Sequence, residues 1–256
     1  RYARFMMGDA VRRSSLVFTV SEASRADILR FYPATDPDKV HVVPNAIDAE
    51  LLRSPGPDEM ERVRERYQLR GRFVLFAGNI KPHKNLERLI RAFARVRAQE
   101  GNEDLRLVLI GDDVSRYGSL RRTVEEAGVR QDVRFFGFVP HGTLAALYRM
   151  AAVFAFPSLY EGFGLPPLEA MGVGVPVVST RAGSIPEIVG DAADLVAPAD
   201  PAALAAALSR VLSDADHRAE LVRRGRERAS RYSWDAYVDA MIDVYRRAAS
   251  SPAGAP

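Results

Sequence analysis

The hydrophobic positions of this 256-residue chain fall into short continuous runs, separated by stretches in which apolar residues recur every three or four positions. A short apolar run bounded by turn residues fits a strand buried on both faces, and the three-to-four spacing fits a helix with one face against a core. Residues 16–20 read as a strand and 24–32 as a helix, with Ser21 or Ser24 as its cap and Pro33 as its stop. Residues 41–44 read as a second strand. Residues 48–58, with Pro55-Gly56-Pro57, read as a linker. Strands are then expected at 73–77, 105–110, 133–136, 153–156, 175–179 and 194–196. Helices are expected between them at 86–99, 119–127, 143–150, 167–171 and 185–189, the first burying Leu89, Ile90, Phe93 and Val96. Three more helices, at 201–213, 217–230 and 234–248, close the chain.

Strand and helix in alternation imply right-handed crossovers and an open, doubly wound parallel sheet of the Rossmann-like α/β class. The expected organisation is a remnant of a separate, similar sheet at residues 1–48 and a linker at 49–70. The main domain follows at 71–232, then a C-terminal helix at 233–249 and a disordered tail at 250–256, rich in small residues and proline. No repeat of solenoid period is visible.

Composition narrows the function classes. A hydrophobic fraction of 47% and a charged fraction of 27% are those of an ordinary globular protein. No apolar run approaches the ~18 residues of a membrane span. The absence of cysteine excludes disulfides, thiolate metal sites and a cysteine nucleophile, and suits the cytoplasm. Arg1-Tyr2-Ala3-Arg4 carries neither an initiator Met nor a signal-peptide core, so the chain is expected to start inside a longer protein. A net charge of +3 is too small to point to nucleic acid. Lysine is confined to Lys39, Lys81 and Lys84, and two of these share one loop.

In a doubly wound sheet, ligands bind beyond the carboxyl ends of the strands, and four loops there carry chemistry. Residues 78–85 (GNIKPHKN) combine a turning glycine and Asn79 with Lys81 and Lys84, compact cations suited to phosphate. Residues 160–169 (YEGFGLPPLE) place Gly162 and Gly164 before a helix that opens with proline; bare amide hydrogens at that helix start would form an anion site, and the two glycines would let a diphosphate approach the backbone. Glu169 is expected in that helix's first turn, where the helix dipole favours a carboxylate. Glu161 would repel phosphate and should meet a neutral, hydroxylated part of the ligand, so the two acids can grip two sugars on either side of a diphosphate. Phe138 and Val139 lie in a loop whose extended backbone could pair with a nucleobase edge, and Gly111-Asp112-Asp113 is a weaker signal.

Other patterns are read as structural. Asp214-Ala215-Asp216 matches the Asp-x-Asp of metal-dependent sugar transferases but sits between two helices, where an aspartate caps. No Gly-x-Gly-x-x-Gly follows a strand, and there is no Walker lysine motif. His41, His83, His141 and His217 lack metal spacing, so no metal ligands are assigned.

The run EGFGLPPLEAMGVGVPVV, with Glu161 and Glu169 separated by seven residues, resembles the signature segment of the family 4 retaining glycosyltransferases, which have the GT-B architecture. FTVSEASRADILRFY and VHVVPNAID resemble the end of that family's N-terminal domain, and FAGNIKPHKNLERLIRAF the start of its C-terminal domain. GSIPEIVGDAADLVAP and WDAYVDAMIDVYRR also fit. The resemblance implies a hexosyl transfer from a nucleotide-diphosphate sugar, GDP-mannose before UDP-glucose, to an unidentified sugar, lipid-linked or small-molecule acceptor in polysaccharide biosynthesis. It implies that Glu169 binds the ribose hydroxyls and that Glu161 meets the donor sugar near the reacting carbon. Lys84 and the amides of 163–165 would hold the diphosphate, and Phe138 and Val139 would frame the base. No metal or other cofactor is implied. Retention would follow front-face attack, or double displacement with Glu161 as nucleophile. Many members have Arg where Asn79 stands, with Lys81 as a substitute. Most of the N-terminal domain, with its acceptor pocket and membrane-facing patch, is missing, so the chain is expected to bind nucleotide but transfer sugar poorly. A GT-B phosphorylase or epimerase, or a non-catalytic nucleotide-sugar binding module, are the alternatives.

Overall fold

The computed structural model describes residues 2–112 and 117–250. Arg1, Asp113 and the expected tail beyond Ser250 lie outside these residues. The chain begins with α1 (Tyr2–Arg13), β1 (Val17–Thr19), α2 (Glu22–Phe31) and β2 (Val40–Val42). β1 and β2 pair in parallel, Val17 opposite Val40, as a two-stranded sheet of their own. This is the separate small sheet read from the sequence.

The stretch read as a linker is instead helical, with α3 (Ala49–Leu52) and α4 (Pro57–Arg66). Asp48 caps α3 by accepting from Glu50 N–H at 2.8 Å. Gly56 opens α4 with Pro57 in its first turn, acids Asp58 and Glu59 at its start, and Arg64 and Arg66 at its end, an arrangement that matches the helix dipole. Leu51, Val63 and Leu69 are buried in the main core, so this segment is part of the packed unit. The proline and glycine that signal a loop serve here as a helix start.

The main unit runs β3 (Phe73–Ala77), α5 (Leu86–Arg97), β4 (Arg106–Ile110), α6 (Gly118–Glu126), β5 (Val133–Gly137) and α7 (His141–Met150). It continues through β6 (Val153–Phe156), α8 (Leu165–Gly172), β7 (Val177–Thr180), α9 (Ile185–Val189) and β8 (Ala193–Val196) to α10 (Pro201–Ser213), α11 (Ala215–Ala229) and α12 (Trp234–Ser250). Its six strands are all parallel and lie in the order β5-β4-β3-β6-β7-β8. Every residue of β3, β6 and β7 is buried, as continuous apolar runs covered on both faces require. α5 buries Leu89, Ile90, Phe93 and Val96, the face that its spacing predicts. Phe76, Phe154 and Phe156 stack in the middle, with ring centroids 6.0 Å apart.

The strand order positions the site. The chain winds outward from β3 to β5, returns to the centre, and winds the other way from β6 to β8. The loops after β3 and β6 therefore diverge from adjacent strands and leave a crevice between them. One close approach shapes its floor: Gly78 N–H donates to Ile110 O at 3.0 Å, and Gly111 N–H to Gly137 O at 3.1 Å. A Cβ on Gly111 would overlap the Gly78 carbonyl oxygen. Replacing Gly111 with Ala should therefore spread the ends of β3 and β4, costing about 2 kcal/mol and lowering Tm by roughly 4–8 °C in calorimetry.

Candidate functional site

A cavity of about 300 Å³ opens at the carboxyl ends of β3, β4 and β5, lined by Gly78, Asn79, Gly111, Phe138, Val139 and His141 among others. Asp112 accepts from Ile80 N–H at 3.1 Å and so anchors the loop after β3 against the loop after β4. Gly137, at a φ of +62°, turns the chain out of β5. Phe138 consequently stands 93% exposed at the cavity mouth while Val139 is buried beside it. A solvated aromatic face next to an apolar wall can stack with a planar ring. Four of the residues singled out in the sequence, Asn79, Gly111, Phe138 and Val139, thus share one cavity.

The loops after β3 and β6 are tied to each other. Asn85, in the left-handed conformation at φ +60°, donates from Nδ2 to Pro157 O at 3.0 Å and Pro198 O at 3.1 Å. Leu159 N–H donates to His83 O at 2.7 Å. These bonds draw Lys84 inward, where it is only 8% exposed. Its ammonium donates to Glu161 Oε1 at 2.6 Å and lies 4.8 Å from the centroid of the Phe156 ring. Of the expected phosphate-binding cations, Lys84 therefore stands at the switch point with one of the two paired acids as its partner, and Lys81 lies exposed on the rim. His83 contributes its backbone carbonyl to this arrangement.

α8 starts at Leu165, two residues earlier than the sequence suggested, because Gly164 at φ +112° forms its cap. Gly164 has a steric reason to be glycine, since a Cβ there would meet Ile185 Cδ1 at 2.7 Å. Gly162 has none of this kind; a Cβ would find only Ser24 Oγ at 3.5 Å. Pro166 and Pro167 fill the second and third helical positions and lack amide hydrogens. The donors left at this helix start are the amides of Phe163, Gly164 and Leu165. Among the described residues, none of the loop and cap hydrogen bonds within the protein is donated by these three. The preceding carbonyls, by contrast, are all engaged. Glu161 O accepts from Ser184 N–H at 3.1 Å, and the single hydrogen of Ser184 Oγ is directed at Phe163 O at 2.6 Å, with Glu161 O at 3.1 Å sharing it. Gly162 O accepts from Ser21 Oγ–H at 2.7 Å and Ser24 Oγ–H at 2.9 Å. Open amides at a helix start, beside carbonyls that are already satisfied, are able to receive an anion. The Phe163 ring itself is buried against Tyr232, with centroids 5.8 Å apart.

Because α8 starts early, Glu169 is its fifth residue and lies beyond the first turn expected for it. Its position answers to a different partner. The fully buried Tyr148 of α7 donates its hydroxyl to Glu169 Oε2 at 2.9 Å. Burial raises the Glu169 carboxyl above its ordinary value. The Tyr148 hydrogen bond and nearby His141 oppose this, while Asp48 adds to it. Burial likewise raises the Tyr148 phenol far above its ordinary value, with the Glu169 charge second. Tyr148 thus holds one carboxylate oxygen by a permanent donor and leaves the other for a ligand. Sequence reading missed Tyr148, Gly183, Ser184 and the two serines of α2 as parts of the site. At Gly183, with φ +55°, any Cβ would overlap the Glu161 carbonyl oxygen.

The patterns set aside in the sequence find structural roles. Asp214 caps α11 by accepting from His217 N–H at 2.9 Å. His217 Nε2 in turn lies 3.0 Å from the buried Asp194, which also meets Arg210 at 2.8 Å. Spacing along the chain did not reveal one grouping, Asp48, Glu50 and His141, whose candidate ligand atoms lie within 4.8 Å of one another. All three are exposed, and Asp48 already spends one oxygen on its helix cap. Among the described residues, no helix is long and apolar enough to cross a membrane.

Residues 58–228 match the family of glycosyl transferases group 1. The chain belongs to this family. This group 1 glycosyltransferase chain is 34% identical over 255 residues to the O-antigen chain mannosyltransferase B of Escherichia coli, a match covering 96% of the chain and 64% of that protein. It is 35% identical over 247 residues to the MMP alpha-(1->4)-mannosyltransferase of Mycolicibacterium hassiacum, covering 95% of the chain and 56% of that protein. It therefore spans less than two thirds of the length of these curated relatives. Among solved structures, sucrose-phosphate synthase of Thermosynechococcus elongatus superposes with a TM-score of 0.81 at 28% identity, covering 97% of the chain and 62% of that protein. HepE of Anabaena, solved with UDP and glucose, shares the fold with a TM-score of 0.81 at 24% identity, over 94% of the chain and 65% of its own. The architecture is that of the GT-B glycosyltransferases, as the resemblance in the sequence implied.

Two outcomes follow from the geometry of this glycosyltransferase site. Replacing Lys84 by Ala leaves Glu161 a part-buried acid without its partner and should cost about 3 kcal/mol, whereas the Lys84→Met, Glu161→Gln pair should recover most of that loss; chemical denaturation of the three proteins reads the difference. A hydroxyl that donated to Glu169 would favour its ionised form, so affinity for a hydroxylated ligand held there should fall as the solution is acidified through the raised value of that carboxyl. Tyr148→Phe removes a donor to the ionised form, so the fall should start at higher pH than in the unaltered protein, which titrations run downward from neutral pH would show.

Proposed function

We propose that this chain is the donor-binding part of a retaining hexosyltransferase that uses a nucleotide-diphosphate sugar. The observation that carries the reading is the run of three unengaged amides at residues 163–165 beside the Lys84–Glu161 pair, at the switch point of the sheet. In this reading the base stacks on Phe138 and enters the cavity beside Val139, with Asn79 and Gly111 on its floor and wall. Glu169, steadied by Tyr148, accepts from the two ribose hydroxyls. The diphosphate lies on the amides of Phe163, Gly164 and Leu165. An ammonium has three hydrogens, so Lys84 can donate to a phosphate oxygen while it keeps Glu161. Lys81 reaches the same diphosphate from the rim.

The remaining oxygen of Glu161 then accepts from hydroxyls of the transferred sugar, fixing its reacting carbon. As the bond from that carbon to the diphosphate breaks, negative charge grows on the leaving oxygen. The fixed amides and Lys84 stabilise that charge without reorganising, the arrangement in which preorganised donors contribute most. Charge neutralisation is thereby assigned to protein groups, with no metal among them. A front-face reaction, in which the leaving phosphate takes the acceptor's proton, needs no further base and gives retention. The two mannosyltransferase relatives favour GDP-mannose as the donor. We assign donor binding to residues 71–232.

Calorimetry with GDP, UDP, GDP-mannose and UDP-glucose tests this. GDP-mannose should bind most tightly. Glu169→Ala should weaken every nucleotide by about 30-fold or more. Glu161→Ala should spare GDP and remove the preference for GDP-mannose over GDP. Tighter binding of UDP-glucose would overturn the donor assignment, and binding of none of the four would overturn the reading as a whole.

A further inference from the structure

A trans peptide unit is planar, and its C=O and the following N–H point in opposite directions. Fixing the carbonyl of one residue therefore fixes the direction of the next residue's amide hydrogen. In the loop before α8, the bonds on Gly162 O set the direction of Phe163 N–H, and the bond on Phe163 O sets that of Gly164 N–H. Three serines hold these carbonyls, and they come from two different parts of the fold. Ser184 precedes α9 in the main unit and is fully buried. Ser21 and Ser24 open α2, beside the two-stranded sheet, more than 130 positions away in the chain.

The first turn of α2 is docked against the loop from several directions. Ser21 Oγ accepts from Ser24 N–H at 3.0 Å and donates to Gly162 O, so its hydroxyl is both the helix cap and a loop tether. Both lone pairs of Gly162 O are taken by hydroxyls, Ser21's and Ser24's. Glu187 of α9 accepts from Glu22 N–H at 2.9 Å and Ala23 N–H at 3.1 Å, filling the remaining donors at the start of α2. The Tyr160 hydroxyl donates to Asp27 one turn further on. A rotation of the peptide between Gly162 and Phe163 would have to break two serine bonds at once.

We propose that Ser21, Ser24 and Ser184 are positioning residues for the diphosphate, aiming the amide hydrogens of Phe163 and Gly164 through the carbonyls they hold. This rests on the reading of the loop as the diphosphate site. It makes α2 a working part of that site, although none of its side chains need touch the ligand. A purely structural role would leave the balance between phosphate and base recognition unchanged.

The test compares a nucleoside diphosphate with its nucleoside on the 256-residue chain, GDP with guanosine and UDP with uridine, using whichever pair the unaltered protein binds. Calorimetry reads the diphosphate and ligand-observed NMR the nucleoside. Ser24→Ala should weaken the diphosphate about fivefold and Ser184→Ala about tenfold or more, with the nucleoside unchanged within a factor of about two. Ser24→Thr, which keeps the hydroxyl, should stay within about threefold of the unaltered protein, and it provides the reading should an alanine variant fail to fold. Equal losses of diphosphate and nucleoside, or no loss of diphosphate, would overturn the inference and leave the donor site standing. Failure of the unaltered protein to bind either diphosphate would overturn the donor site itself.

Discussion

Two opposite charges, Lys84 and Glu161, are withdrawn from water between the ends of the adjacent strands β3 and β6. Neither would be tolerated there alone, because a buried charge without a partner costs more than most single interactions can return. The pair is possible only because the strand order sends those two loops apart at the centre of the sheet. Much else in the crevice serves to keep it in place. Asn85 adopts a left-handed backbone and ties its amide to the β6 loop, Leu159 reaches back to His83, and Gly183 gives way so that Glu161 can lie flat against the next turn. Such a pair adds little net stability over an apolar contact of the same size. Its value is a cation and an anion held within reach of a ligand.

The surrounding groups divide into those that are spent and those that are open. The carbonyls of residues 161–163, one oxygen of Glu161 and one of Glu169 all have protein partners. The amides of 163–165 and the second oxygens of both acids are open by comparison. This division lets the site stay rigid before anything binds, which lowers the ordering cost that binding would otherwise meet. Tyr148 shows the same logic in a dry setting: its hydroxyl opposes the upward push that burial exerts on Glu169.

The fold was largely legible in the sequence because the strands are buried on both faces and so appear as uninterrupted apolar runs. The face of α5 could be named residue by residue for the same reason. Residues 48–58 misled, since Pro55-Gly56-Pro57 is equally a loop signal and a helix start, and only the packing of Leu51 and Val63 decides between them. The start of α8 was placed two residues late because the capping glycine, Gly164, depends on a close contact with Ile185 that no local pattern encodes. The paired acids, the lysine loop and the cavity residues stood out through their chemistry. Tyr148 and Ser184 did not, because a buried hydroxyl within an apolar helix and a serine in a turn look the same whether or not they hold a neighbour's carboxylate or carbonyl. Ser21 was legible as a cap, while its second bond, to Gly162, spans the two sheets and has no local signature.

The two prolines at the start of α8 have a consequence for how an anion can lie. A helix start normally offers a ring of amide hydrogens facing along its axis, which suits a single compact oxyanion seated end-on. With Pro166 and Pro167 in place that ring is opened on one side, and the remaining donors follow the incoming chain from 163 to 165 instead of circling the axis. Such a row would suit an elongated anion laid sidelong across the helix mouth better than a lone inorganic phosphate, and in the proposed reading that anion is a linked pair of phosphoryl groups.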